Sequence, residues 1–193
     1  VENAYKTGVK IKVVEETRRL IGLLDKFKDS APKEFIEPEM TRAEEMVRVI
    51  ATNYQKEVTV TKEQATREFT HHLYNEYLRL FPSSEYVYPM TLNYAYLLQE
   101  LGEHELAGDR FTAVVDMKPD GKLALDAAHE AMSSYYRLSE NIERQTKSED
   151  SSDLKPKDLP PFEAKLVKAC ERYLKMAPDD AADLVEARFA GGM

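Results

Sequence analysis

The chain has 193 residues, 42% of them apolar, and its 35 acidic against 27 basic side chains give a formal charge of -8 at neutral pH. That length permits one large or two small domains with a real core, and the acidic balance repels nucleic-acid phosphates and anionic membrane surfaces, which excludes both as expected partners. Seven glycines, nine prolines and little Val/Ile alternation argue against a multi-stranded sheet and for an all-α chain of helices joined by short turns.

Taken from the start, the chain opens at Val1 without an initiator Met or an apolar signal core. It reads as a trimmed fragment, in which missing upstream residues would hold any signal peptide or lipid anchor. A leading helix is expected within 1–31, from Val9 to Phe27, ending ahead of Pro32 because the residue before a proline avoids the helical region. The stretch Lys33–Met40, with Pro32 before it and Pro38 inside it, reads as extra length before a new helix. Thr41, with Glu44 three residues on, resembles a capping box from which that helix starts.

The first helix pair spans 41–82. Met46, Val47, Ile50 and Tyr54 share one face of its first helix; Thr61 with Gln64 resembles a second capping box, and the second helix closes before Pro82. A second pair spans 85–119, with Ala95, Leu98 and Leu101 on the core face of its first helix. Gly102 sits in the turn, where a positive backbone angle is cheap, and Asp120-Gly121 follows Pro119 as turn chemistry. The third pair spans 122–178, with Ala124, Ala128, Ala131, Tyr135 and Leu138 in its first helix and a polar, proline-rich loop at 146–160. That loop reads either as a spacer or as a docking arm. Residues 181–190 form a capping helix over the last pair.

The prolines act as rulers. Twelve, eight and five residues before each lie Leu20, Leu24 and Phe27; Thr70, Tyr74 and Tyr77; Ala107, Phe111 and Val114; Leu166, Cys170 and Tyr173. The intervals between Pro32, Pro82, Pro119 and Pro178 are 50, 37 and 59 residues, against roughly 34 for the simplest helix-pair repeat. A shift of 37 places Leu98 on Tyr135 and Leu101 on Leu138, a shared core register. The fold class is therefore an all-α helical solenoid of antiparallel pairs, a single domain over 1–193.

Ala107, Phe111 and Pro119 resemble the second helix of the tetratricopeptide repeat (TPR) superfamily. The first-helix signature is degraded, with Thr91 where Trp is usual, Tyr94 for Leu, Ala95 for Gly and Leu98 for Tyr. The wording of Leu73 to Ser84, then Tyr94 to Leu98 and Leu101-Gly102-Glu103, is similar to bacterial cell-envelope TPR proteins of outer-membrane assembly, Tol-Pal-associated and gliding-motility types. The similarity covers most of residues 62–178. It implies an adaptor in the periplasm or at the outer membrane, with the cytoplasm as alternative, gripping a protein or peptide in a concave groove lined by first helices.

Off the core face set by Ala95 and Leu98, the groove residues would be Asn93, Tyr96 and Gln99. The shift of 37 adds Glu130, Ser133 and Tyr136. Asn and Gln suit an extended backbone and Tyr offers flat contact area with a polar tip; the plainer reading is half-exposed helix surface. Eleven tyrosines and no tryptophan, with Tyr86, Tyr88, Tyr94 and Tyr96 close together, divide between recognition and packing, since helical spacing spreads them over more than one face.

No catalytic, cofactor or metal site is expected. Adjacent His71 and His72 point about 100 degrees apart on a helix, His104-Glu105 lacks a second histidine because Gly108 stands there, and His129 has only Glu130 beside it. Cys170 falls on a core phase, where a thiol is hard to ionise. As a lone cysteine it forms no internal disulfide, which suits a reducing cytosol or a periplasm. Gly102, Gly108 and Gly121 are too sparse for a phosphate loop, Asp116 and Asp120 miss calcium-loop spacing, and Glu44-Glu45 and Asp179-Asp180 read as helix-start charges. No run reaches the roughly 20 apolar residues of a membrane helix, so direct insertion is not expected. What remains is a non-catalytic scaffold, or alternatively a chain that self-assembles through its solenoid ends into homo-oligomers, or an enzyme whose site lies upstream.

Overall fold

A computed structural model describes residues 10–146 and 161–192, with the backbone alone for 143–146. The 146–160 loop lies, but for Thr146, outside the described residues. Among those described, every regular element is helical: α1 Lys10–Phe27, α2 Lys33–Thr61, α3 Gln64–Leu80, α4 Val87–Glu100, α5 His104–Met117, α6 Ala124–Thr146, α7 Pro161–Met176 and α8 Leu184–Ala190.

The proline rulers mark real boundaries, for α1, α3, α5 and α7 each end ahead of one. Three of the four phased sets are wholly buried: Thr70, Tyr74 and Tyr77 on α3, Ala107, Phe111 and Val114 on α5, and Leu166, Cys170 and Tyr173 on α7. The α1 set differs, with Phe27 42% exposed. The buried stripe there is Thr17, Ile21 and Leu24, and its next turn falls at Lys28, leaving Phe27 about a quarter-turn off the stripe.

The helix expected from Thr41 begins at Lys33 instead and runs through Pro38. Pro38 falls within the first two turns, where the carbonyl it cannot reach belongs to exposed Glu34. Thr41 is therefore mid-helix and donates its hydroxyl to Glu37 O at 3.0 Å. Thr61 is the last residue of α2, not the cap of α3; that position is held by Glu63, whose N–H donates to Thr61 Oγ1 at 3.3 Å. Between them Lys62 takes a left-handed backbone, φ 56°, closing α2 with a hydrogen bond to Val58 O. Gly102 has φ 78°, as its turn requires. Met46 lies 38% exposed beside buried Val47, Ile50 and Tyr54.

The chain divides into two compact units, Val1–Met90 and Thr91–Met193, with the boundary inside α4. In the first, α1 packs on α2 and α3, and α2 on α3. Aromatic rings fill this core: Tyr54 meets Phe69 edge-on with centroids 5.2 Å apart, and Tyr74 donates its hydroxyl to Gln55 Oε1. Arg79 of α3 reaches Asp25 of α1 at 2.7 Å, and Lys10 is held by Glu57 and Glu63.

In the second unit, α5 packs on α6, α6 on α7, and α7 on α8. Small residues line these crossings: Ala107, Ala127, Ala128 and Ala169 are buried. A Cβ on Gly108 would lie 2.6 Å from the Tyr135 ring, so this glycine lets α6 approach α5. Tyr135 then donates to Asp109 Oδ1 at 2.7 Å, and the same carboxylate accepts from Lys165 of α7 at 2.8 Å. Arg172 and Asp116 form a further α5–α7 pair at 2.7 Å. Of the pairs that a shift of 37 superimposes, Leu98 and Tyr135 are both buried, whereas Leu101 and Leu138 are only half-buried.

Candidate functional site

On α6 the buried side is Ala124, Ala127, Ala128, Ala131 and Tyr135. His129, Met132, Ser133 and Tyr136 recur at i, i+3, i+4 and i+7 along an adjoining stripe. On α8 the phase is equally simple. Ala187 is fully buried, while Val185 and Phe189, two residues either side, point away from it and are 75% and 83% exposed. The two stripes face one another across an open cleft of about 590 Å³, completed by Asp183, Glu186 and Ala190.

His129 anchors this arrangement. Its Nε2 lies 3.2 Å from Asp183 Oδ2, and its ring meets Tyr173 of α7 edge-on at 5.3 Å. The histidine that stands alone in sequence is thus a three-element junction. Tyr136 is 43% exposed on the cleft wall. Among the described residues, the cleft's lining carries two carboxylates and no lysine or arginine.

Of the six residues expected in a groove, Ser133 and Tyr136 meet in this cleft. Gln99 and Glu130 meet each other: the Gln99 amide donates to Glu130 Oε2 at 2.8 Å and to Ser134 Oγ at 2.9 Å. Both its N–H groups are thereby used in joining α4 to α6. Tyr96 is half-buried with its ring edge-on to Phe111 at 5.1 Å, and burial raises its pKa, with Glu130 and Asp126 adding to the effect. Asn93 is half-buried on α4. The residues that sequence reasoning missed are His129, Met132, Asp183, Val185, Glu186 and Phe189. Only the i, i+4 pair Val185 and Phe189, apolar in an acidic segment, signalled an outward face.

The first unit has its own polar cluster, beside a cavity of about 510 Å³ lined by Met40, Glu44, Phe81, Ser84 and Tyr86 among others. Glu44 is not a helix-start charge but lies well inside α2. Its Oε1 accepts from Tyr77 Oη, from Ser84 Oγ at 3.1 Å and from Arg48 Nε at 3.1 Å, and the Arg48 guanidinium stacks 3.8 Å over Tyr86. Burial first, then the Glu44 carboxylate, pushes the Tyr77 pKa well above the ordinary tyrosine value. Each group here is engaged by another, which makes the cluster a structural knot.

Cys170 is fully buried, and burial pushes its thiol up to about 11, so it stays protonated and inert. Among the described residues no group of three or more His, Cys, Asp or Glu is placed to hold a metal ion. No helix among them is long and apolar enough to cross a membrane. Compared with protein-family models and with curated proteins, the chain matches none.

Proposed function

We propose that this chain is a non-catalytic scaffold built as a TPR-like solenoid, holding a protein partner on a surface to which α4 and α6, as first helices of their pairs, contribute. The observation that carries the reading is the open α6/α8 cleft, in which two residues selected for recognition, Ser133 and Tyr136, stand opposite the exposed Val185 and Phe189. An exposed apolar face rimmed by polar groups is what a recognition surface looks like. The solenoid part is supported by three buried proline-phased sets on alternate helices. It is also supported by ion pairs between alternate helices within each unit, Asp25 to Arg79 and Asp116 to Arg172. The sequence resemblance favours a bacterial cell-envelope setting, in the periplasm or at the outer membrane, over the cytoplasm.

Affinity capture from native extract, with wild type and Tyr136→Asp side by side, tests the proposal. The expected result is a discrete protein partner lost in the variant at unchanged melting temperature. Capture of nothing above background by wild type, or equal capture by both, overturns it. Tyr96→Ala is the poorer probe because it removes the Phe111 ring contact as well. The alternative reading, self-assembly, draws on the same exposed Val185 and Phe189 of the last helix. Sedimentation over a concentration series decides, since a strict monomer removes it.

A further inference from the structure

We infer that the α6/α8 cleft receives a short amphipathic helix whose apolar stripe is flanked by lysine or arginine. The inference rests on the scaffold reading and names the partner's chemistry. Two helix walls meet here, with Met132 at the base and Tyr136, Val185 and Phe189 standing proud. A third helix laid between them buries those side chains as ordinary ridge-into-groove packing does. An extended peptide fits less well. Its backbone N–H and C=O groups need partners, and apart from the charged groups and His129 the wall offers only the hydroxyls of Ser133 and Tyr136. A helix brings its own backbone hydrogen bonds.

Charge then selects the occupant. Asp183 and Glu186 line the cleft, Glu130 adjoins His129 at 3.8 Å, and among the described residues no lysine or arginine is part of the lining. A basic flank complements this rim, and an acidic one is repelled. A second copy of the chain is the rival occupant. On α7 Lys168 and Lys175 border a separate hollow of about 410 Å³ with apolar Val115, Pro119 and Met176.

The probe is a fluorescently labelled peptide with leucine at i, i+3, i+4 and i+7 and lysine elsewhere, titrated with the full chain by anisotropy. A Leu/Glu counterpart and a scrambled Leu/Lys peptide run in parallel. Saturable binding of the Leu/Lys helix is expected. Phe189→Asp, and separately Asp183→Asn with Glu186→Gln, should weaken it about tenfold or more, and so should added salt. Phe189 is 83% exposed, so an unchanged melting temperature shows that the variant folds. Equal binding of the Leu/Glu or scrambled peptide, or indifference to Phe189→Asp, overturns the inference. So does self-association through Phe189 that the peptide fails to displace. If the peptide fails while Tyr136-dependent partner capture persists, the scaffold reading survives and the basic helix alone is lost.

Discussion

In residues 10–90 the space between helices is filled by rings that carry a polar tip. Tyr74 and Tyr77 are fully buried with their hydroxyls led to Gln55 and Glu44. Among the described residues of 91–192, alanines and Gly108 stand at the crossings, and the Tyr135 ring fits against α5 only because Gly108 has no side chain. The first arrangement constrains direction, because each hydroxyl must find its acceptor. The second constrains distance, because each methyl sets how near the helices come. One unit should therefore respond most to polar edits and the other to changes of volume.

The largest effect should come from Phe111→Ala, which empties a fully buried ring site of the second unit and should cost about 3–5 kcal/mol. Calorimetric melting reads it, and a loss below about 1 kcal/mol would break the claim that this unit is governed by volume. Next is Gly108→Ala, where overpacking against Tyr135 costs about 1–3 kcal/mol and helix propensity returns up to about 1 kcal/mol. A net fall in melting temperature is expected, relieved when Tyr135→Leu is added. A rise in the single variant would show that the ring moves aside freely.

Tyr77→Phe edits direction without volume and should cost about 1–2 kcal/mol, since Ser84 and Arg48 still hold Glu44. It also carries a pH signature. The folded pKa of Tyr77 lies above the unfolded value near 10, so its contribution is whole below that pH and lost as the pH climbs beyond it. Wild type should thus lose more stability than Tyr77→Phe in alkaline denaturant titrations. Parallel loss in both would mean that Tyr77 ionises as easily folded as unfolded. The smallest effect reverses the glycine argument. At Lys62, φ 56° strains a side chain, so Lys62→Gly should gain about 0.5–1 kcal/mol, seen as a higher denaturant midpoint.

Much of the fold could be read in advance because prolines and i, i+4, i+7 spacing are local physics. The buried sets on α3, α5 and α7 needed no tertiary knowledge. What failed was also local: Thr41 and Thr61 have capping spacing, yet Thr41 lies in a helix that continues through Pro38 and Thr61 at the end of one, their hydroxyls donating to carbonyls one turn back. Glu44 looked like a starting charge for the same reason. The candidate cleft was half legible. Ser133 and Tyr136 follow from helical phase, but Asp183 and Phe189 join them only because α8 packs on α7 beside α6, which no spacing along the chain encodes. Gly108, noticed in sequence as the place where a histidine was missing, serves instead as a gap for Tyr135.

Asp109 is grasped from two sides, by Tyr135 of α6 and by Lys165 of α7. Its own helix, α5, cannot part from either neighbour without pulling a donor off the carboxylate that both neighbours share. The amides of these three helices should accordingly exchange with deuterium as a single cooperative block, opening together where loosely stacked repeats would peel one at a time.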